Sequence, residues 1–370
     1  MTSHKFLLKG EKFVIDVIEN KSSHFLHKIL YILSSCFKCI VLIRAYLYDK
    51  GWKKTRKGEL PIVCIGNITA GGTGKTPLVE RLAQDLRQDI RLAIISKGYR
   101  SLGVSRKDVI SPVDRCDRTV SSVYCGDEPF LLKKHLPDVD VFLSKDRELA
   151  IKVAKKRNVE LVLLDDGFQM RALAKDLIII VLHAKDLFGL GYYLPRGYLR
   201  ESPKRLKEAN LLCITQNQFD PVPFEDLCEQ IKPYSSAKII GAHIIPKGVK
   251  GALVLALEEL KGKKIGVFCG IGRPKSFLET LHALGVDSVE ALFMPDHHAP
   301  CEEELERFAR LCGDKGAEIL LCTEKDFVKI VNTHYHLLPV CYLETELNII
   351  HGKNYYEEFK MQIISLAKKG

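Results

Sequence analysis

Hydrophobic positions along this chain fall into two patterns. Residues 29–48, ILYILSSCFKCIVLIRAYLY, are apolar almost without a break. Beyond them come short apolar runs at 61–66, 91–96, 139–144, 160–164, 177–182 and 211–215, with helical periodicity over 77–87 and 147–156. Short apolar runs that alternate with amphipathic segments predict a parallel sheet covered by helices on both faces. The stretch 218–223 is rich in turn residues, and after it the pattern restarts. Runs at 264–269, 289–293 and 318–322 read as strands, with helices over 274–284 and 302–311. The expected organisation is therefore an apolar amino-terminal helix with a basic linker (1–58), an α/β core (59–220) and a smaller α/β lobe (221–370). No tandem repeat or low-complexity tract interrupts it.

The first strand runs into GNITAGGTGKTP, residues 66–77. A strand, a glycine-rich turn and Gly-Lys-Thr at a helix start make a phosphate cradle, so the core is expected to be P-loop NTPase-like. Backbone N–H groups across Thr69, Ala70, Gly71, Gly72, Thr73 and Gly74 can turn toward phosphate. Lys75 can reach the β- and γ-phosphates, and the Thr76 hydroxyl can bind Mg²⁺. Thr69 stands where the general G-x-x-x-x-G-K-[ST] pattern has its first glycine. A nucleoside triphosphate is the expected ligand, and the phosphate turn places the active site at the carboxyl edge of the sheet.

Composition sharpens the setting. With 370 residues the chain can bury a full core, and 46% hydrophobic and 28% charged residues are ordinary for an α/β protein. The formal charge is +10, and Lys50, Lys53, Lys54, Arg56 and Lys57 follow directly on the apolar run. Beside an apolar helix, such a cluster fits anionic lipid better than nucleic acid. The 12 cysteines show no disulfide-framework spacing, as suits a reducing compartment. Cys36-x-x-Cys39 lies inside the apolar helix, where packing explains it better than redox or metal chemistry.

No small-residue cleavage site follows the apolar run, which argues against a cleaved signal. Its length matches a hydrocarbon core of ~30 Å. Lys38 and Arg44 lie within it, and each costs roughly 2.5–3.5 kcal/mol at a bilayer centre. A helix lying in the interface with both side chains snorkelling outward suffers less, so a monotopic anchor is expected rather than a span. An amphipathic helix packed on the protein's own core is the other reading.

Further candidates lie at loop ends. In LLDDGFQ (163–169) an apolar strand ends in two carboxylates. Asp165 would hold Mg²⁺ opposite Thr76, and Asp166 would serve metal or substrate; Gln169 adds a polar group at the same edge. In GDEP (126–129), Asp127 and Glu128 stand at an apparent helix start, as N-terminal capping explains. Alternatively, Asp127 accepts the proton of an attacking hydroxyl, a role that needs a partner such as Asp296-His297-His298. Arg196 and Arg200 in LPRGYLRE (194–201) suit phosphate recognition, and equally a solvated basic loop. Tyr99, in KGYR (97–100), could face the nucleotide edge. Arg147, in KDR (145–147), could reach phosphate or pair with Asp146.

Taken in order, GNITAGGTGKTP, KGYR, GDEP, KDR, LLDDGFQ, LPRGYLRE, GIGRP, PDHH and TEKD resemble the tetraacyldisaccharide 4′-kinase family, the membrane-associated kinases of lipid A synthesis. These motifs extend from Gly66 to Asp326. Thr69 at the head of the cradle and the preceding apolar helix are traits of the same family. The resemblance implies transfer of the ATP γ-phosphoryl group to the 4′-hydroxyl of a tetraacylated glucosamine disaccharide 1-phosphate, giving lipid IV-A. It places that reaction at the cytoplasmic face of the bacterial inner membrane, with the acylated disaccharide and the membrane surface as partners. Lys75 and Thr76 would bind ATP–Mg²⁺, and Asp127 with His297 would form the base. Asp165, Asp166 and Glu128 would organise the metal, with Gln169 positioning groups around it. Arg147 and Arg200 would stabilise transferred charge, and Tyr99 would line the site. Lys97, Met170 and Arg273 depart from the arginine, histidine and asparagine usual in the family. None of them is a proposed base or metal ligand.

Two other classes fit parts of the pattern. A membrane-associated ATPase switch of the partition or septum-positioning type also combines a phosphate loop with a membrane helix. Its loop carries an early lysine where this chain has Ala70. A GTP-binding metallochaperone would need an N/T-K-x-D guanine motif, and Thr323-Glu324-Lys325-Asp326 does not supply that spacing.

Overall fold

The computed structural model describes residues 24–97, 109, 126–217, 222–272, 274–295, 298, 300–330 and 337–369. Its first element is helix α1 (His24–Asp49). Strands β1 (Ile62–Gly66), β2 (Leu92–Ser96) and β4 (Leu161–Asp165) follow the expected apolar runs, and every one of their residues is buried. Continuous rather than alternating apolarity suits strands covered on both faces. Between and beyond them lie α2 (Lys75–Leu86), α3 (Asp127–His135), β3 (Asp140–Leu143), α4 (Arg147–Lys156), β5 (Leu177–His183) and β6 (Leu211–Asn217). The second half contributes α5 (Phe224–Ile231), β7 (Lys238–Gly251), β8 (Lys264–Cys269), α6 (Pro274–Ala283), β9 (Asp287–Phe293) and α7 (Glu302–Asp314). It closes with β10 (Ile319–Thr323), α8 (Glu324–Phe327), β11 (Val340–His351) and α9 (Lys353–Ala367).

All described strands join one 11-stranded sheet, ordered β3-β2-β4-β1-β5-β6-β7-β11-β10-β8-β9. Every neighbouring pair is parallel except β7 and β11, which run antiparallel. The two halves expected from the sequence are thus parallel blocks of a single sheet, hinged on one long antiparallel ladder. Neither ladder strand shows in the hydrophobic pattern, because β7, KIIGAHIIPKGVKG, carries three glycines and a proline. Pro246 lies opposite Thr345, where the register shifts. A residue without a backbone N–H is tolerated at such an irregularity.

Each parallel block has an apolar core on both of its faces. On α2, Leu78, Val79, Leu82, Ala83 and Leu86 form the buried stripe. They meet Leu347, Ile349, Tyr356, Phe359 and Ile363 from the end of β11 and from α9. The chain's last helix, expected with the second lobe, therefore packs into the core of the first. The buried Tyr356 hydroxyl donates to Asp85 at 2.9 Å and fastens it there.

Helix α1 buries one narrow stripe. Ser34 and Val41 are buried, Phe37 is half-buried, and the three recur at helical spacing. Ser34 donates to the Tyr193 carbonyl at 2.7 Å, and Phe37 leans on the Tyr193 ring. Ile29, Ile32, Leu33, Ile40, Leu42, Ile43 and Tyr46 remain exposed. By length and composition, Leu26–Asp49 is long and apolar enough to cross a membrane. Two expectations need correcting. Arg44 does not snorkel outward; it turns inward to the fully buried carboxylate of Glu201, whose charge it neutralises together with Arg205. Cys36 and Cys39 are exposed on the apolar face rather than packed.

Candidate active site

The phosphate turn leaves β1 at its carboxyl end, where β1 lies between β4 and β5. Gly66 and Gly167 allow the β1 and β4 exits to touch. A Cβ on Gly66 would stand 2.4 Å from Phe168 Cβ, and one on Gly167 would stand 3.1 Å from Cys64 Sγ of β1. This close approach sets the carboxylates of the Asp-Asp-Gly turn beside the cradle. Gly74 caps α2 in the left-handed region at φ 81°, a conformation that favours glycine. Thr215 Oγ1 donates to the Thr73 carbonyl at 2.7 Å, and Asn67 Nδ2 donates to Thr73 Oγ1 at 3.1 Å. The rim is steadied from outside, since Ala70 N–H donates to the Tyr198 carbonyl and Thr69 bridges Leu199. Open space lies over the Cα positions of Gly71 and Gly72. Backbone so supported, with its glycines facing open space, is a pre-formed anion cradle.

Asp166 is the electrostatic hub. Its backbone sits at φ 50°, an uncommon conformation that asparagine and aspartate tolerate best. Lys75 Nζ lies 3.6 Å from Asp166 Oδ1, and Arg200 Nη1 lies 3.3 Å from Oδ2. Although burial disfavours its charge, Lys75, Arg200 and Arg147 hold the Asp166 carboxyl below the usual carboxylate range. Asp165, one residue away, goes the other way. Burial first, then the charges of Glu128 and Asp166, push its carboxyl up to about 7. Ser96 Oγ donates to its Oδ2 at 3.3 Å, while its buried Oδ1 has no hydrogen-bond partner.

Arg147 is buried and donates from Nη1 to the Ser144 carbonyl, and its Nε has no partner. Burial lowers its pKa against the opposing pull of Asp165 and Asp166. It does not pair with Asp146, which caps α4 by accepting from Leu149 N–H at 3.1 Å. The two loop arginines turn to different partners. Arg200 turns to Asp166, whereas Arg196 stacks over Tyr192 and meets His27 of α1 at 3.2 Å.

Gln169 Nε2 donates to the Asn67 carbonyl at 2.8 Å, and both Gln169 Oε1 and Asn67 Oδ1 are buried without partners. Asp127 is buried at the start of α3 and Glu128 is half-exposed beside it. Tyr99 and His297 lie outside the described residues. Among the described residues, no three histidine, cysteine or carboxylate side chains converge as a closed metal cage. The oxygen set of Thr76, Asp165, Asp166 and Glu128 would suit a Mg²⁺ that keeps its waters and is shared with phosphates, rather than a caged ion. The unpartnered Oδ1 of Asp165 fits such a ligand.

Sequence reasoning overlooked Lys325 and Lys329. Lys325 Nζ stands 3.3 Å from Glu128 and 3.7 Å from Asp127, and Lys329 Nζ stands 3.4 Å from Asp127. Lys325 belongs to TEKD, read only as a family motif that lacks the guanine spacing, with no role for the lysine, and no motif marks Lys329.

Comparison with known proteins gives this arrangement its family. The sequence model described as "Tetraacyldisaccharide-1-P 4'-kinase" matches residues 26–363. The chain belongs to the tetraacyldisaccharide-1-P 4′-kinase family. A tetraacyldisaccharide 4′-kinase of Elusimicrobium minutum is 39% identical over 309 residues, covering 81% of each chain. One from Syntrophus aciditrophicus is 32% identical over 355 residues, covering 92% of this chain and 93% of its own. The crystal structure of LpxK from Aquifex aeolicus in complex with ATP superposes with a TM-score of 0.70 at 29% identity. It covers 92% of this chain and 99% of that one. The chain is thus a tetraacyldisaccharide 4′-kinase of lipid A synthesis with the α/β fold expected from its sequence, not a partition-type switch. Lys97, Met170 and Arg273 are therefore departures within the family.

Proposed function

We propose that this kinase transfers the γ-phosphoryl group of ATP to the 4′-hydroxyl of tetraacyldisaccharide 1-phosphate, with Asp127 as the proton acceptor. The observation that carries the reading is the convergence of Lys75, Arg200 and Arg147 on the two carboxylates beside the cradle. Phosphoryl transfer needs alignment and charge neutralisation more than covalent help. The cradle N–H groups and Lys75 would take the β- and γ-phosphates of ATP. Arg200, now held by Asp166, is within reach of the charge that develops on the transferred group. Thr76, Asp165, Asp166 and Glu128 would hold Mg²⁺, which when bound would supply charge neutralisation for the transferred phosphate. Gln169 and Asn67 would offer their free oxygens to waters or hydroxyls at that edge. Tyr99 would line the nucleotide site.

Asp127 and His297 are proposed to act as a pair. Residues flanking His297 support this, because a Cβ on Gly270 would stand 2.6 Å from the His298 carbonyl oxygen and 3.3 Å from Asp326 Oδ1. Asp326 shares Lys329 with Asp127. His298, next to His297, thus lies near Asp326, whose ammonium partner also meets the start of α3.

Helix α1 is proposed to lie in the interface at the cytoplasmic face of the inner membrane. Contacts from Tyr31 with Tyr192 to Arg44 with Glu201 bind it to the 188–201 loop over ~20 Å of its length. A helix held along its length by a polar loop presents only its other side to lipid, which suits an interfacial anchor. The loop it holds also carries Arg200, so the acylated acceptor would be delivered beside the cradle.

The position of the new phosphate tests the reading. ³¹P NMR of the purified product should show two phosphomonoesters, one retained at the 1-position and one new at the 4′-position. A diphosphate at the 1-position would contradict the assignment of the acceptor hydroxyl.

A further inference from the structure

Helix α8 is short, but it grips both ends of α3. At the acidic start of α3, Lys325 and Lys329 face Asp127, and Lys325 also faces Glu128. At its basic end, Glu324 accepts from Lys134 Nζ at 2.8 Å and meets His135 Nε2 at 3.0 Å. The other ring nitrogen of His135 lies 3.0 Å from Glu80 on α2. Hydrogen bonds to Glu324 and Glu80 push His135 up to about 9, so it stands as a cation between two carboxylates at neutral pH. Glu324 at the start of α8 thus faces the basic end of α3, while Lys325 and Lys329, the latter just after the helix, face its acidic start.

The grip has a rigid footing. Asp326 is completely buried, and its Oδ2 lies 2.6 Å from Thr323 Oγ1. Its Oδ1 accepts from Lys329 Nζ at 3.0 Å. The Lys329 side chain is only 10% exposed, so its ammonium is fixed between Asp326 and Asp127 rather than waving in solvent. A charge-assisted contact fixed on its far side by a buried carboxylate sets position as well as charge.

We propose that Lys329, assisted by Lys325, is a positioning residue for Asp127, holding its carboxylate where the acceptor hydroxyl must be deprotonated and tying α3 to the second half of the sheet. This rests on the reading of Asp127 as the proton acceptor. Lys329, whose ammonium pairs with Asp326 and Asp127, acts through Asp127.

The test is steady-state kinetics of Lys329→Gln, which removes the charge but keeps an N–H for buried Asp326. A carboxylate displaced by about 1 Å costs on the order of 100-fold in kcat. That loss is expected with the KM values for ATP and for acceptor unchanged. Lys329→Arg should recover most of it, and Lys325→Gln should give a smaller loss of the same kind, readable even if Lys329→Gln does not fold. In an Asp127→Asn background, Lys329→Gln should cost nothing further, because the pair acts as one unit. Wild-type kcat in Lys329→Gln overturns the proposal. So does a raised KM at unchanged kcat, which would make Lys329 a substrate contact, or an equal loss in the Asp127→Asn background, which would make it structural. Normal turnover by Asp127→Asn alone would instead overturn the reading of Asp127 as base.

Discussion

Asp127→Asn lowers kcat by about 10²–10⁴-fold, the range expected when a positioned general base is lost. The change is nearly isosteric, so α3 keeps its start and the new amide can still face Lys325 and Lys329. ATP affinity, measured by titration calorimetry, stays close to wild type because Asp127 lies on α3 and not in the cradle. The split between intact binding and lost turnover is the signature of an interaction used only in the transition state. A variant that binds ATP normally and turns over at the wild-type rate removes Asp127 from the chemistry.

Lys75→Ala produces a loss of comparable size by a different route. Lys75 Nζ lies 3.6 Å from Asp166 in a side chain only 15% exposed, so its charge acts in a partly dehydrated edge where solvent screening is weak. Removing one pre-organised charge of this kind costs about 10²–10³-fold in rate. The fall is expected in kcat/KM for ATP, since the proposed phosphate contact of the same ammonium would be made in both ground and transition states. Lys75→Arg does not restore it, because a planar guanidinium cannot replace a compact ammonium at the mouth of a tight turn. Steady-state kinetics alongside circular dichroism separate this from misfolding. Undiminished kcat/KM in folded Lys75→Ala would show that the cradle is not the donor site.

The cradle and the carboxylate turn were legible because each is local. GNITAGGTGKTP and LLDDGFQ are a strand, a turn and a helix start read consecutively, and adjacent parallel strands put them side by side. Glycines at 66 and 167 even encode that contact, through the space a Cβ would fill. What escaped is non-local. Lys325 and Glu128 are 197 positions apart, and nothing in either segment names the other. Arg44 read as a snorkelling cation because its partner, Glu201, lies 157 positions on, in a loop with no sequence link to the helix. Strand β7 stayed hidden because its glycines and proline break the alternation that marks a strand. Its pairing with β11 is what turns two expected sheets into one. That join matters to function, since it fixes the cradle on one block and the Lys325–Lys329 grip on the other.

If donor and acceptor sites act together as proposed, the terminal phosphate of ATP leaves only onto an acylated disaccharide. Purified protein incubated with [γ-³²P]ATP and Mg²⁺, with or without tetraacyldisaccharide 1-phosphate in detergent micelles, measures it directly. Labelled lipid is expected in step with ATP consumed when the acceptor is present, and little ATP consumed without it. ATP hydrolysis at the same rate in both tubes, with no label in lipid, would contradict it.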